Sequence, residues 1–189
     1  GSISSLGSMT FIKKLTASGS ATLSFVDGTD GVVLDDTYKE YVFTFNNIHP
    51  QTDAQALTFN MSADTGSNYN VTKTTTFFDA YHAEADNDSG LAYEAGIDIA
   101  QGTGFQTLAP QVGNGNDECV SGSLTLFNPS STTFVKHFIS ETNEYYSDNF
   151  SINNYIAGYG NTTSAVDAIR FQMASGNIDA GDICLYGIA

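Results

Sequence analysis

The feature that most constrains the fold is a period-two alternation of apolar and polar residues, interrupted at short intervals by Gly, Asn, Asp and Ser. In "SATLSFV" (Ser20–Val26), Ala21, Leu23 and Phe25 share one phase, and "DGTDG" follows as a turn. "EYVFTFNNI" (Glu40–Ile48) repeats the pattern through Tyr41, Phe43 and Phe45 until His49-Pro50 stops it. "ALTFNMS", "VSGSLTLFN", "TTFVKHFIS", "VDAIRFQMA" and "DICLYGI" alternate likewise, and "NYNVTKTTTFFDAYHAE" reads as one long strand. Successive side chains of a strand point to opposite faces, so this pattern belongs to sheets with one buried face. The expectation is all-β: an antiparallel β-sandwich of 8–10 strands, jelly-roll-like, with no helix. Asn87–Gly115 alternates least and is expected to hold connections and one short strand. The opening "GSISSLGS", residues 1–8, reads as a cloning scar, leaving residues 9–189 as a single domain.

Charge narrows the partners. Six Lys and Arg stand against 21 Asp and Glu, a formal net charge of −15. Nucleic-acid binding needs a basic stripe that displaces counterions from phosphates, and Lys13-Lys14 is the only adjacent basic pair. Nucleic acid and anionic membrane surfaces are therefore excluded as partners. The apolar runs are too short for a membrane-spanning helix, and no signal peptide is visible, so no membrane insertion is expected.

"SGNIDAGDICLYGI" (Ser175–Ile188) imitates the first half of a phosphate-binding loop through Gly176 and Gly181. The loop would require Lys and Ser/Thr after the second glycine, and Asp182 and Ile183 stand there instead. Gly176, Asn177 and Gly181 accordingly read as turn residues before a last strand. In "HAEADNDSG" (His82–Gly90), Asp86 and Asp88 continue the strand spacing of His82 and Glu84, an oxygen-rich set that would suit Ca²⁺. The EF-hand template fails there, with Leu91 at its glycine position, and a solvated turn is the plainer expectation; no cofactor is otherwise indicated. Cys119 and Cys184 are expected as free thiols. Tyr145, Tyr146 and Tyr159 lie in a stretch rich in Asn and Ser. Aromatic rings beside amides can stack on sugar faces and bond hydroxyls, which makes these three tyrosines the candidate ligand-binding residues. No nucleophile elbow, zinc-protease motif or other catalytic signature is present in the sequence.

Several longer stretches carry a resemblance: "KEYVFTFNNIHPQTD", "NYNVTKTTTFFDAYH", "AQGTGFQ", "LTLFNPSSTTFVKHFIS", "IAGYGNTTSAVDAIRFQMASGNIDAG" and the closing "LYGI". Together they cover most of the chain from Glu40 onward. The set resembles the small virion-associated structural proteins of marine tailed phages, cyanophages especially. The resemblance implies a structural or appendage protein of the virion, on tail fibre, tail or capsid surface, assembled in the host bacterial cytoplasm. It supplies no catalytic residue. The expected partners are copies of itself, as a homotrimer, other virion proteins, and a host surface glycan as receptor. The alternatives are a capsid decoration protein without a ligand and a virion-borne polysaccharide depolymerase.

Overall fold

Alternation, β-branched residues and aromatic side chains give long strands here, and the computed structural model, which describes residues 9–189, contains twelve strands and no helix among the described residues. Residues 1–8, read from the sequence as a cloning scar, lie outside the described residues. The strands are β1 (Met9–Thr16), β2 (Leu23–Val26), β3 (Glu40–Pro50), β4 (Gln55–Ser62), β5 (Lys73–Ala83) and β6 (Ser89–Tyr93). They continue as β7 (Gln106–Val112), β8 (Val120–Phe127), β9 (Lys136–Tyr146), β10 (Phe150–Gly160), β11 (Ala168–Met173) and β12 (Ile178–Ile188).

Every pairing between these strands is antiparallel. The ladder runs β1-β12-β3-β8-β9-β10-β5-β6 in one direction and β7-β4-β11-β2 in the other. One residue pair, Val112 with Tyr146, joins the two. The architecture is therefore a sandwich of one eight-stranded and one four-stranded sheet, whose strands pair with each other at a single seam. The larger sheet alone has as many strands as a whole jelly roll. Met9 pairs with Ile188, so β1 and β12 bring the two ends of the described chain together at the sheet's outer edge.

Aromatic side chains from the two sheets interlock between the layers. Phe171 of β11 lies 5.4 Å from Phe43 and 5.2 Å from Phe45 of β3, ring centre to ring centre. Phe25 of β2 meets Phe43 edge to face at 5.3 Å, and Phe59 of β4 meets Phe138 of β9 at 4.9 Å. All of these rings are almost wholly inaccessible to solvent. Edge-to-face pairs of this kind add about 0.5–1.5 kcal/mol each beyond the area they bury.

Four strands lie outside the stretches whose alternation was clean. In β1 the two lysines interrupt the pattern, and a bulge falls between Phe11 and Lys13. β6 and β7 both come from Asn87–Gly115, where one short strand was expected. β10 reads as a polar stretch because Asn153, Asn154 and Ser151 occupy it, yet it pairs along its whole length with both β5 and β9. Gly176 lies in the turn before β12, with φ 74°, as its sequence context implied. Gly181 does not: it lies inside β12, at a register shift against β3, with φ 110°. A Cβ there would collide with the Asn47 carbonyl oxygen, so close backbone approach at a bulge, rather than a turn, is what requires this glycine.

Candidate functional site

The residues of β5, β9 and β10 that point between the sheets include several that alternation alone would not bury. Lys73, Thr75, Phe77 and Asp79 follow one another inward along β5. Lys136, Phe138, Ser140, Thr142 and Glu144 do so along β9, and Ile152, Asn154 and Ile156 along β10. The register sets Asp79 opposite Asn154, and Asn154 opposite Thr142. A polar row thus crosses three neighbouring strands on their inner face.

Most of its groups are satisfied. Asn154 donates through Nδ2 to Glu144 Oε1 and to Thr142 Oγ1, each at 3.3 Å. The backbone N–H of Gln111 donates to Glu144 Oε2 at 3.2 Å, and Thr142 Oγ1 donates to the Leu108 carbonyl at 2.6 Å. Glu144 is fully buried, and desolvation pushes its carboxyl up to about 7, with the nearby Asp79 charge adding to the rise and the bonds from Asn154 and Gln111 opposing it. Two oxygens in the row have no hydrogen-bond partner: Asp79 Oδ1 and Asn154 Oδ1. Asp79 is only 7% exposed, and desolvation followed by repulsion from Glu94 raises its pKa.

Asp79 looks into a cleft of about 360 Å³ at the open end of the sandwich, beside the Val112–Tyr146 seam. Tyr81, Tyr146 and Phe150 form an aromatic wall, with Phe150 set edge to face against each tyrosine at 6.1 Å. Gln111 and Pro110 of β7 close the other side. Asp88, Glu94 and Asp148 complete the rim, and neither lysine nor arginine lines the cleft. Its size matches pockets that hold small organic ligands.

The outer face of the same three strands is quite different. Phe78 and Tyr155 stack at 4.9 Å with an interplanar angle of 11°, and Ile139, 56% exposed, lies on the neighbouring strand. Two shallow apolar grooves run across this face, one beside Phe78, Ile139 and Tyr155 and the other beside His137, Ala157 and Tyr159.

The sequence candidates are dispersed over these features. Tyr146 lines the cleft, while Tyr145 donates to Asn149 Oδ1 at 3.0 Å at the β9–β10 turn. Tyr159 packs on His137 on the outer face. Tyr145 is paired with Ser151, eight residues along β10 from Tyr159, so about 27 Å separate the two positions. The three tyrosines thus form no common surface. The spacing of His82, Glu84, Asp86 and Asp88 is broken because β5 ends at Ala83. Asp86 turns back with φ 54° and approaches His82 Nε2 at 3.4 Å, whereas Asp88 reaches the cleft rim. Among the described residues, no three His, Cys, Asp or Glu side chains converge in a group able to hold a metal ion. Cys119 and Cys184 are both free thiols: Cys119 immediately precedes β8, Cys184 lies on β12, and β3 runs between those two strands. No helix among the described residues is long and apolar enough to cross a membrane.

Asp79, Glu144 and Asn154 were not singled out in the sequence. The signal that could have found them is phase: each falls at an inward position of its strand, where an apolar residue is the norm. Comparison with protein-family models, with curated proteins and with solved structures finds no match.

Proposed function

We propose that this chain is a non-catalytic virion protein of a tailed phage, an appendage or surface module that works as a homo-oligomer and contributes to attachment at a host surface glycan. The virion assignment is supported by the sequence resemblance described above. The self-association is supported by one observation: the outer face of β5, β9 and β10 exposes Phe78 and Ile139 beside the half-buried Tyr155.

A second copy is the occupant that fits this face. Chains with a net charge of −15 repel one another, so they approach most easily where carboxylates are fewest. Glu141 is the only acidic residue lining either of the two apolar grooves. A contiguous apolar face of this kind is a common mark of an interaction surface. Repeated copies would turn weak contacts with a cell surface into firm attachment, because each later contact is effectively intramolecular.

Absolute mass by light scattering over a dilution series tests the assembly. The expected result is an oligomer, with a trimer as the favoured state, that Ile139→Glu converts to a monomer without unfolding it. A wild-type monomer at every concentration overturns self-association through this face. Antibody labelling of intact virions tests the location, and particles that stay unlabelled overturn it.

A further inference from the structure

Asp79 poses a specific chemical problem. Its Oδ1 is buried without a donor, the opposing Asn154 Oδ1 is also without one, and three further carboxylates, Asp88, Glu94 and Asp148, line the cleft with no lysine or arginine. A buried acceptor left without a donor is destabilising, more so when charged. Asp79 also lines the cleft, so hydrogen-bond donors brought into the cleft meet its carboxyl group.

Three kinds of occupant can be weighed. A divalent cation such as Ca²⁺ requires six to eight oxygen ligands at close range, and the acidic side chains here do not converge on one point. A proton held between Asp79 and Asn154 would satisfy both oxygens, but it would leave the aromatic wall and the open volume without an occupant. A sugar accounts for all three observations. Its hydroxyls donate to Asp79, its C–H face packs on the rings of Tyr81, Tyr146 and Phe150, and one ring fits the space.

The rim also selects. Asp88, Glu94 and Asp148 are negative, so a uronate, sulfated or sialylated residue would be repelled, whereas a neutral sugar carries no charge to oppose them.

We infer that the cleft beside the Val112–Tyr146 seam is a binding site for one neutral pyranose residue of a glycan, with Asp79 as hydroxyl acceptor and the Tyr81–Phe150–Tyr146 wall as stacking surface. The inference rests on the glycan-attachment reading for its biological purpose only. The cleft is on the inner face of β5, β9 and β10, away from the apolar outer face, so a monomer would bind as well as an oligomer.

The test is a titration of the full chain, followed by amide NMR shifts, with methyl glucoside, methyl galactoside and methyl mannoside as neutral probes and glucuronate as the anionic one. Concentrations should reach about 50 mM, because a single weak sugar site commonly has a Kd near ~1 mM. At least one neutral probe is expected to shift Asp79, Gln111 and Phe150, and glucuronate to bind about tenfold more weakly. Tyr146→Ala and Asp79→Leu should each weaken the neutral probe by about tenfold or more.

Since Asp79→Leu could fail to fold, the cleft rim, half-buried at Glu94 and exposed at Asp148, supplies a second variant. The double substitution Glu94→Gln with Asp148→Asn should narrow the gap between the neutral probe and glucuronate. The proposal is overturned if no neutral probe shifts these amides, if the shifts fall on Phe78 and Ile139 instead, or if CaCl₂ alone produces them and EDTA removes them. It is equally overturned if the rim variant leaves the gap unchanged. None of these results bears on the mass or labelling experiments, so failure of the sugar site and failure of the virion assignment remain distinguishable.

Discussion

The two ends of the sandwich solve the same packing task with opposite materials. At one end, β2, β3, β11 and β12 bury Phe25, Phe43, Phe45, Phe171, Ile183 and Leu185, and their inner face is almost wholly apolar. At the other, β5, β9 and β10 bury Lys73, Lys136, Asp79, Glu144 and Asn154 among Phe77, Phe138 and Ile156, while Phe78, Ile139 and Tyr155 face outward. The first arrangement maximises area removed from water. The second spends stability on polar groups inside and keeps an apolar face outside, and both departures sit where a ligand cleft and an association surface are proposed. Strain on the usual pattern concentrated in one region is the structural mark of a working region.

The comparison can be broken most forcefully at the aromatic end. Phe171 touches Phe25, Phe43, Phe45 and Phe59, so Phe171→Ala should destabilise the chain by about 3–5 kcal/mol in urea unfolding. A loss below about 1 kcal/mol would mean that the two ends do not differ as described.

At the polar end, the effect should reverse sign. Glu144 titrates at about 7 in the folded protein, above its ordinary value of 4.5. Between those values the folded chain holds a proton that the unfolded chain has released, so stability falls as pH rises from about 4.5 to 7. Glu144→Gln removes that titration. Asn154 can turn its free Oδ1 toward the new amide, so the variant should gain about 2 kcal/mol at pH above 7 and little at pH near 4. Urea midpoints for both proteins across this range check it, and a parallel pH dependence for the two would refute it.

The smallest effect concerns Lys73. Its ammonium donates to Asn60 Oδ1 at 2.6 Å and to the Val71 carbonyl at 2.9 Å, with no carboxylate partner, and burial lowers its pKa to about 8. The folded chain loses this proton before the unfolded chain does, so Lys73 contributes stability that rises with pH between about 8 and 10.5. Lys73→Met should abolish that rise while changing stability at pH 7 by no more than about 1 kcal/mol, because a buried charge exchanged for an apolar chain of similar volume is close to neutral. Denaturation at pH 7 and pH 10 would show it.

How legible each end was in the sequence follows from the same contrast. β3, β11 and β12 alternate Phe, Ile and Leu against polar residues, and that hydrophobic phase marks both the strand and its buried face. β10 has the identical alternation, with Ile152, Asn154 and Ile156 inward, but an asparagine holds the central inward place and Tyr155 and Tyr159 face out. The hydrophobic phase is therefore blurred, and the stretch reads as a polar stretch carrying tyrosines. Tyr146 was legible as a cleft residue by type, whereas its neighbours in the site, Asp79 and Phe150, come from other strands. Their convergence depends on register, which local pattern does not carry.

The pairing of Met9 with Ile188 has a mechanical consequence. A load applied to both ends would open β1 from β12 one residue pair at a time, a peeling failure that needs little force at any instant. β5, which carries Asp79, is six strand positions from β1 across the larger sheet, about 29 Å away at ordinary strand spacing. Traction at the tethered corner would thus be absorbed by a sacrificial edge, and the cleft would keep its shape until several ladders had parted.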